Sequence, residues 1–301
     1  MQLSFIGSKT GVTGVVLAMG MVLAPVLVAQ QTDKTAQPSG QTQTAKPETP
    51  ALPSSSDLTK TPVEPPKVNP QEEADYKTFF DTKPEAMDTQ IQLGQKFLGN
   101  YPTSKYTEVV SGRMAMDFYA KQQWKDFFDF ADKTLSLNPD NVDILVLDGW
   151  VIPHSWDPND LGASQKLDTA ESHEKRALQI LQTLQKRPDL TDAQFAAAKG
   201  LYLSQAHSGL GLVYFRRQDY ADSATELQQA TTGSASADSA DYFVMGIDLT
   251  QLKRFTEAAD AFDKCGQIAG PLQDRCKQLS DQAKKQAAAA PAPPAAPTPQ
   301  K

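Results

Sequence analysis

Apolar residues recur at helical spacing through most of the chain after Pro70. In the stretches 210–230 and 245–265, an apolar run at i, i+3, i+4 and i+7 is followed by a short polar turn and a second such run. Each stretch therefore predicts two helices joined by a turn. The same periodicity in the neighbouring sequence predicts an all-α fold of about ten to eleven helices.

The two stretches also match each other residue by residue, at a constant offset of 35 positions. The matched residues are Leu210 with Met245, Gly211 with Gly246, Tyr214 with Leu249, Tyr220 with Phe255, Leu227 with Phe262, and Ala230 with Cys265. A fixed period of this length is typical of a solenoid built from helical hairpins.

These features resemble the tetratricopeptide repeat (TPR) family. The family pattern has a large–Gly pair on the first helix and a small residue where the two helices cross, here Ser223 and Ala258. Leu93-Gly94 repeats the first-helix signature, and 107–139 forms another unit. The turn at 101–106 resembles those of exported bacterial cell-envelope TPR proteins. The resemblance implies a TPR-like solenoid acting as a scaffold, whose ligand is set by its surface residues.

The unit that begins at Val142 is interrupted. Because Pro153 should stop its first helix, residues 153–167 are predicted to form a loop, and the second helix is expected over about 169–187. Insertions in repeat proteins map to loops that sometimes carry the specific function. His154 and Trp156 make a functional loop one interpretation, but the pattern favours a passive surface loop.

Two further features concern the C-terminal half. Thr191 and Gln194 form a capping box that opens a long helix to Arg217. Gly270-Pro271 is predicted to start a last helix, to about Lys285, that covers the exposed end of the solenoid. Cys265 and Cys276 lie equally far on either side of Gly270-Pro271, so a hairpin there would bring them level. They form either a disulfide bond or a pair of buried thiols.

Composition divides the chain into four segments. Residues 1–29 contain Lys9 and a charge-free apolar run at 11–29, which predicts either a cleaved signal peptide or a retained membrane anchor. Residues 30–70 are rich in Pro, Thr and Gln and are predicted to be a disordered linker. Residues 71–285 form the TPR-like solenoid, and 286–301 are a disordered Ala/Pro-rich tail. The protein is therefore expected to be exported to the periplasm or cell envelope.

Charge and motifs exclude several function classes. The net charge is −7, and residues 71–285 hold 23 Lys and Arg against 32 Asp and Glu. This acidic balance argues against a nucleic-acid partner. No phosphate-binding loop, nucleophile motif or metal-ligand spacing is found, and the histidines at 154, 173 and 207 share no recognised spacing. We therefore predict a protein that is not an enzyme and has no cofactor or metal.

The resemblance also places a peptide-binding groove. In TPR proteins the first helices line it, at positions counted from the family glycine. Counting from Gly211 and Gly246, the central positions are Ser208, Leu212, Phe215, Arg216, Phe243 and Ile247. The Lys, Asn and Arg residues with which some TPR proteins hold a chain-end carboxylate are absent. A mostly apolar strip remains, suited to an extended or helical segment with apolar anchors, unless another part of the chain covers it.

The sequence thus supports two hypotheses of function. The first is an exported, non-catalytic TPR scaffold that binds proteins or peptides in the cell envelope, with a membrane tether through 11–29 if that run is retained. The alternative is a self-associating spacer protein of the envelope.

Overall fold

The computed structural model describes residues 69–289, apart from 187, 189 and 233–236. Within these residues it contains eleven α-helices and no strand. The helices are α1 (Pro70–Phe80), α2 (Met87–Asn100), α3 (Thr107–Ala120), α4 (Trp124–Leu137), α5 (Val142–Ser155), α6 (Ala163–Thr183), α7 (Asp192–Arg217), α8 (Tyr220–Thr231), α9 (Ser239–Gln251), α10 (Phe255–Gln267) and α11 (Gln273–Ala289). The predicted all-α, TPR-like class is confirmed. The predicted signal or anchor at 1–29 and nearly all of the predicted linker lie outside the described residues.

Consecutive helices pack as hairpins. The main pairs are α3 with α4, α5 with α6, α7 with α8, and α9 with α10. Their first helices form one layer, because α3 contacts α5, α5 contacts α7, and α7 contacts α9. The last helix, α11, packs chiefly on α10 and buries Cys276, Ser280 and Ala283. It therefore covers the end of the array, as predicted.

Side chains fix where several helices begin. The Asn141 side chain accepts a hydrogen bond from the Ile144 amide (3.1 Å) and caps α5. The predicted capping box is present at α7, where Thr191 Oγ1 accepts from the Gln194 amide and Gln194 Oε1 accepts from the Thr191 amide. Such caps satisfy amide groups that have no partner within the helix.

Three hairpin turns share one backbone conformation. Gln122, Gln218 and Lys253 take left-handed φ values of 57°, 66° and 59° just after α3, α7 and α9. In each turn the next residue donates its amide to a carbonyl five residues earlier, for example Asp219 to Tyr214 at 2.9 Å. This turn satisfies carbonyl groups at the helix end and redirects the chain into the second helix. The sequence gives no signal for this turn, because glycine, the usual residue at the left-handed position, is absent.

The glycines of the two matched repeats let the helices of a hairpin touch. A Cβ atom on Gly211 would lie 2.6 Å from Leu227 Cγ, and one on Gly246 would lie 2.5 Å from Phe262 Cε1. In both hairpins the contacting residues are 16 positions apart. Any larger residue would force the two helices apart, which explains the large–Gly pairs.

Gly94 has a different environment. The atoms nearest to a Cβ there belong to Met114 of α3, at 2.5 Å, and Phe79 of α1, at 3.0 Å. Helix α2 thus lies between α1 and α3, and its large–Gly pair does not mark the first helix of a matched hairpin.

The predicted loop at 153–167 is wrong at both ends. Helix α5 continues through Pro153 to Ser155, and α6 already begins at Ala163. Proline removes the backbone donor that would bond the carbonyl of Gly149, and the helix continues for only two residues beyond it. The connection is therefore 156–162, closed by a hydrogen bond from the Trp156 indole to the Ala163 carbonyl (2.8 Å). Helix α6 also ends earlier than predicted, at Thr183.

A covalent bond and polar contacts hold the C-terminal helix against α10. A disulfide bond joins Cys265 of α10 to Cys276 of α11, whose Cα atoms are 5.8 Å apart. The Ser280 hydroxyl also donates to Asp263 of α10 at 2.6 Å. Helix α11 extends to Ala289, so residues 286–289 of the predicted disordered tail are helical.

None of the helices in the described part of the chain is long and apolar enough to cross a membrane. The run at 11–29, where a tether was predicted, lies outside that part.

Candidate binding surface on the first helices

The six predicted groove residues do not share one environment. Ser208 and Leu212 are buried, with 5% and 8% of their surface exposed. Phe215, Arg216, Phe243 and Ile247 are partly buried. Only these last four present surface to a partner, on α7 and α9.

A hydrogen bond between the first helices α7 and α9 holds the Ser208 side chain in a buried position. Its hydroxyl donates to Oδ1 of Asp241 on α9 at 2.6 Å. Leu212 lies one turn further along α7 and is also buried. Both residues therefore present little surface to a partner, since the count from the family glycine gives a direction and not a depth.

Two residues of the same surface were missed by sequence analysis. Tyr119 of α3 lies four residues after Ala115, as Phe215 lies four after Gly211. Trp150 of α5 lies one residue after Gly149, as Ile247 lies one after Gly246. Extending the count to these two upstream helices would have found both. We call Tyr119, Trp150, Phe215, Phe243 and Ile247, all partly buried, the aromatic strip.

Ring contacts join the N-terminal members of the strip. The ring centroids of Tyr119 and Trp150 are 6.4 Å apart in an edge-on arrangement. His154 lies 3.7 Å from the Trp150 ring and bonds the Trp150 carbonyl through Nδ1 at 2.7 Å. Aromatic rings held in this way offer a large contact area with little loss of side-chain entropy.

Phe243 is the least free of the four remaining groove residues. Its ring is 6.2 Å from that of Phe262, and it packs against the core of the C-terminal hairpins together with Ile247. A charged substitution at Phe243 would thus disturb folding as well as binding. Phe215, whose ring contact is with Tyr220 at 6.4 Å, is the better position to test.

Arg216 links α7 to the end of α5. Its Nε donates to the Pro153 carbonyl at 2.9 Å, and its guanidinium lies 5.9 Å from the centre of the Trp156 ring. Burial lowers the pKa of Arg216 from its usual value. Within the described residues no carboxylate pairs with this guanidinium. Its neighbour Arg217 differs, because it forms ion pairs with Asp168 (2.6 Å) and Glu171 of α6.

Several carboxyl groups are buried beneath the first helices. Burial raises the pKa of Asp241 to about 7, although the Ser208 hydroxyl donates to it. Burial likewise raises the pKa of Asp248 to about 7 and that of Asp117 to about 6. Because each is shielded from solvent, these groups shape stability and are not placed to act on a substrate.

Glu174 is a further fully buried acid. It lies between α5 and α7, where a Cβ on Gly149 would be 2.7 Å from its Cδ and one on Gly209 2.0 Å from its Oε1. Neither carboxyl oxygen has a hydrogen-bond partner. Burial, and then the charge of Asp148, raise its pKa well above the usual value. Burial at this site therefore favours the uncharged form of the group.

Chemistry elsewhere in the described chain is sparse. His173 Nδ1 contacts Asp148 Oδ2 at 2.8 Å, but no serine, threonine or cysteine nucleophile is assigned to this pair. No group of three or more His, Cys, Asp or Glu side chains in the described residues could hold a metal ion.

The connection between α5 and α6 displays one apolar side chain. Leu161 is fully exposed, while Asp157 and Asp160 beside it are engaged by Asn159 and Lys166. It lies off the aromatic strip, and it provides a control position for binding experiments.

Comparison with known proteins gives distant likenesses. No family model matches the sequence, and no curated protein matches it. Among solved structures, the chain is similar to a thermophilic TPR protein of Thermus thermophilus, with a TM-score of 0.43 and 13% identity over 71% of this chain and 99% of that one. It is also similar to the P58(IPK) TPR domain, with a TM-score of 0.30 and 12% identity over 71% of this chain and 65% of that one. The repeat geometry described above, and not these likenesses, identifies the fold as TPR-like.

Proposed function

We propose that this chain is a non-catalytic TPR-like scaffold that binds an extended or helical segment of another protein through apolar anchors. One observation carries the proposal: partly buried aromatic and aliphatic side chains stand on four successive first helices, α3, α5, α7 and α9, at positions one or four residues after the family glycine position or three before it. Such a row matches the side chains of a segment laid across the helices. Aromatic side chains are also the usual anchors of protein interfaces.

A selection experiment tests the proposal. The full-length chain is immobilised and exposed to a phage library of random linear peptides. We expect enrichment of peptides with two or more aromatic or aliphatic residues. The enrichment should fall at least about tenfold for Trp150→Ala and for Phe215→Ala, since each removes an anchor contact.

The matched control is Leu161→Ala, which removes an equally apolar but unrelated surface residue. Melting temperatures of all three variants show whether the fold is intact. Equal enrichment with Leu161→Ala and loss with the two strip variants support the proposal. No enriched sequence for the unaltered chain would refute it, as would enrichment that survives both strip substitutions.

We further propose that the scaffold acts outside the cytoplasm, in the periplasm or cell envelope. The support is the sequence of 9–29, which lies outside the described residues: one lysine followed by an uncharged apolar run. A reporter fused after residue 70 should be exported. Reporter activity in the cytoplasm would contradict the proposal. Mass spectrometry of the mature N-terminus separates a cleaved signal, starting at Gln30, from an anchor that retains Met1.

A further inference from the structure

Arg216 has an unusual position for a charged side chain. It is partly buried at the junction of α5 and α7, and one donor, Nε, is used by the Pro153 carbonyl at 2.9 Å. The guanidinium has four further N–H groups, and no carboxylate of the described residues pairs with them. A partly buried cation without a counter-charge is costly unless a charged partner supplies it.

The surroundings hold this guanidinium in place. The Nε bond fixes its orientation at the last turn of α5, and the Trp156 ring lies 5.9 Å from it. Trp156 is itself fixed by its bond to the Ala163 carbonyl. Planar guanidinium groups held in one orientation are suited to binding a carboxylate through two parallel hydrogen bonds.

The neighbouring surface is apolar. Phe215 precedes Arg216 on α7, and Trp150, with the tilted ring of His154 3.7 Å from its own, lies three residues before Pro153 on α5. A bound segment would therefore meet a cation and aromatic rings within the span of a few residues.

We infer that Arg216 receives the carboxylate of an aspartate or glutamate side chain in the bound segment, next to an apolar residue that packs on Phe215 or Trp150. This inference rests on the proposed function and names the chemistry of its partner. The excess of acidic residues over 71–285 opposes a strongly acidic partner. That repulsion is screened beyond about 8 Å at physiological salt, so a single acidic residue among apolar ones fits best.

The same peptide selection tests the inference with three forms of the full-length chain: unaltered, Arg216→Gln and Arg217→Gln. Arg217 is the matched control, because it adjoins Arg216 but its charge is already paired with Asp168 and Glu171. We expect an Asp or Glu beside an apolar residue in the peptides bound by the unaltered and Arg217→Gln forms. Arg216→Gln should keep the apolar preference and lose the acidic one.

A double-mutant cycle then measures the pair directly. An enriched peptide is synthesised with blocked ends, with its acidic residue either kept or changed to the matching amide. The change should weaken binding about tenfold for the unaltered chain and have no further effect on Arg216→Gln. Arg216→Lys, which keeps the charge, should recover part of the affinity.

The outcomes separate the two proposals. Apolar enrichment without an acidic residue, or with an acidic residue that Arg216→Gln still selects, overturns the inference and leaves the proposed function standing. If Arg216 only caps α5, Arg216→Gln lowers the melting temperature without changing the peptide preference, which also overturns it. Absence of any enriched peptide refutes the proposed function itself.

Discussion

At the scale of single residues, Glu174 shows how a repeat position can be filled against expectation. It meets Gly149 of the first helix just as Leu227 meets Gly211 and Phe262 meets Gly246. An acid thus occupies a place that elsewhere holds a large apolar side chain. Both of its oxygens lack partners, and an unpartnered buried polar group costs about 1–3 kcal/mol.

Replacing Glu174 by methionine should therefore stabilise the protein. Methionine has a similar length and flexibility and introduces no polar group, so the free energy of unfolding should rise by about 1–3 kcal/mol. Urea unfolding measures the change. Leu227→Glu, which places an acid at the equivalent site of another hairpin, should instead lower stability by about 3 kcal/mol or more. A loss of stability for Glu174→Met would show that the carboxyl has a stabilising partner.

Sequence analysis predicted some of these close contacts between the helices of a hairpin and missed others. The glycines at 211 and 246 were recognised because their repeats share one length and can be aligned. Glu174 was not, because it lies 25 positions after Gly149 while the equivalent contacts span 16. Because the α5–α6 connection contains extra residues, this unit cannot be aligned with the two matched repeats at a constant offset. The contact between Glu174 and Gly149 was therefore not predicted.

At the scale of helices, periodicity predicted which segments are helical better than where they end. The long α7 and its capping box were predicted correctly, since cap and apolar pattern agreed. The end of α5 was not, because the proline rule treats the backbone alone. In the structure Arg216, 63 residues away along the chain, bonds the Pro153 carbonyl. A contact between distant segments of this kind leaves no local signal in the sequence.

The prediction at the scale of helices concerns how much the bonds between α11 and α10 stabilise the protein. The bond between Cys265 and Cys276 closes a short loop, which should contribute about 2–3 kcal/mol by restricting the unfolded chain. Cys265→Ala with Cys276→Ala should lower the melting temperature by several degrees. Ser280→Ala, which removes a hydrogen bond to Asp263 of α10, is the comparison and should cost about 1 kcal/mol. Thiol counting on unreduced, denatured protein checks the premise, and two free thiols would contradict it.

At the scale of the whole molecule, the first helices of the described array carry both the aromatic strip and several buried acids. Asp117 lies on α3, Asp241 and Asp248 on α9, and Glu174 contacts both α5 and α7. All four of these helices also carry residues of the aromatic strip, and Glu174 itself lies on α6, the partner of α5. Titration of the acids therefore acts on the packing of the same layer that presents the strip.

The stability of the array should consequently fall as pH rises through neutrality. The pKa values of Asp117, Asp241 and Asp248 are raised to about 6, 7 and 7 by burial. In the unfolded chain these aspartates lose their protons near pH 4. In the folded state they keep their protons at that pH. Their stabilising contribution is full below about pH 4 and is lost as pH rises through about 6–7. Acids with lowered pKa values, such as Glu171 at about 2, oppose this trend only at more acidic pH.

We therefore expect the melting temperature to decrease by several degrees between about pH 5 and pH 8. Asp241→Asn should flatten the decrease, because the amide oxygen can still accept from Ser208 while no charge forms. The exposed Asp219→Asn is the control and should leave the slope unchanged. Calorimetry of the full-length chain over this range is the measurement. A melting temperature that rises with pH, or a slope that Asp241→Asn does not alter, would show that Asp241 is ionised in the folded protein and that the first-helix layer is more open to water than its packing indicates.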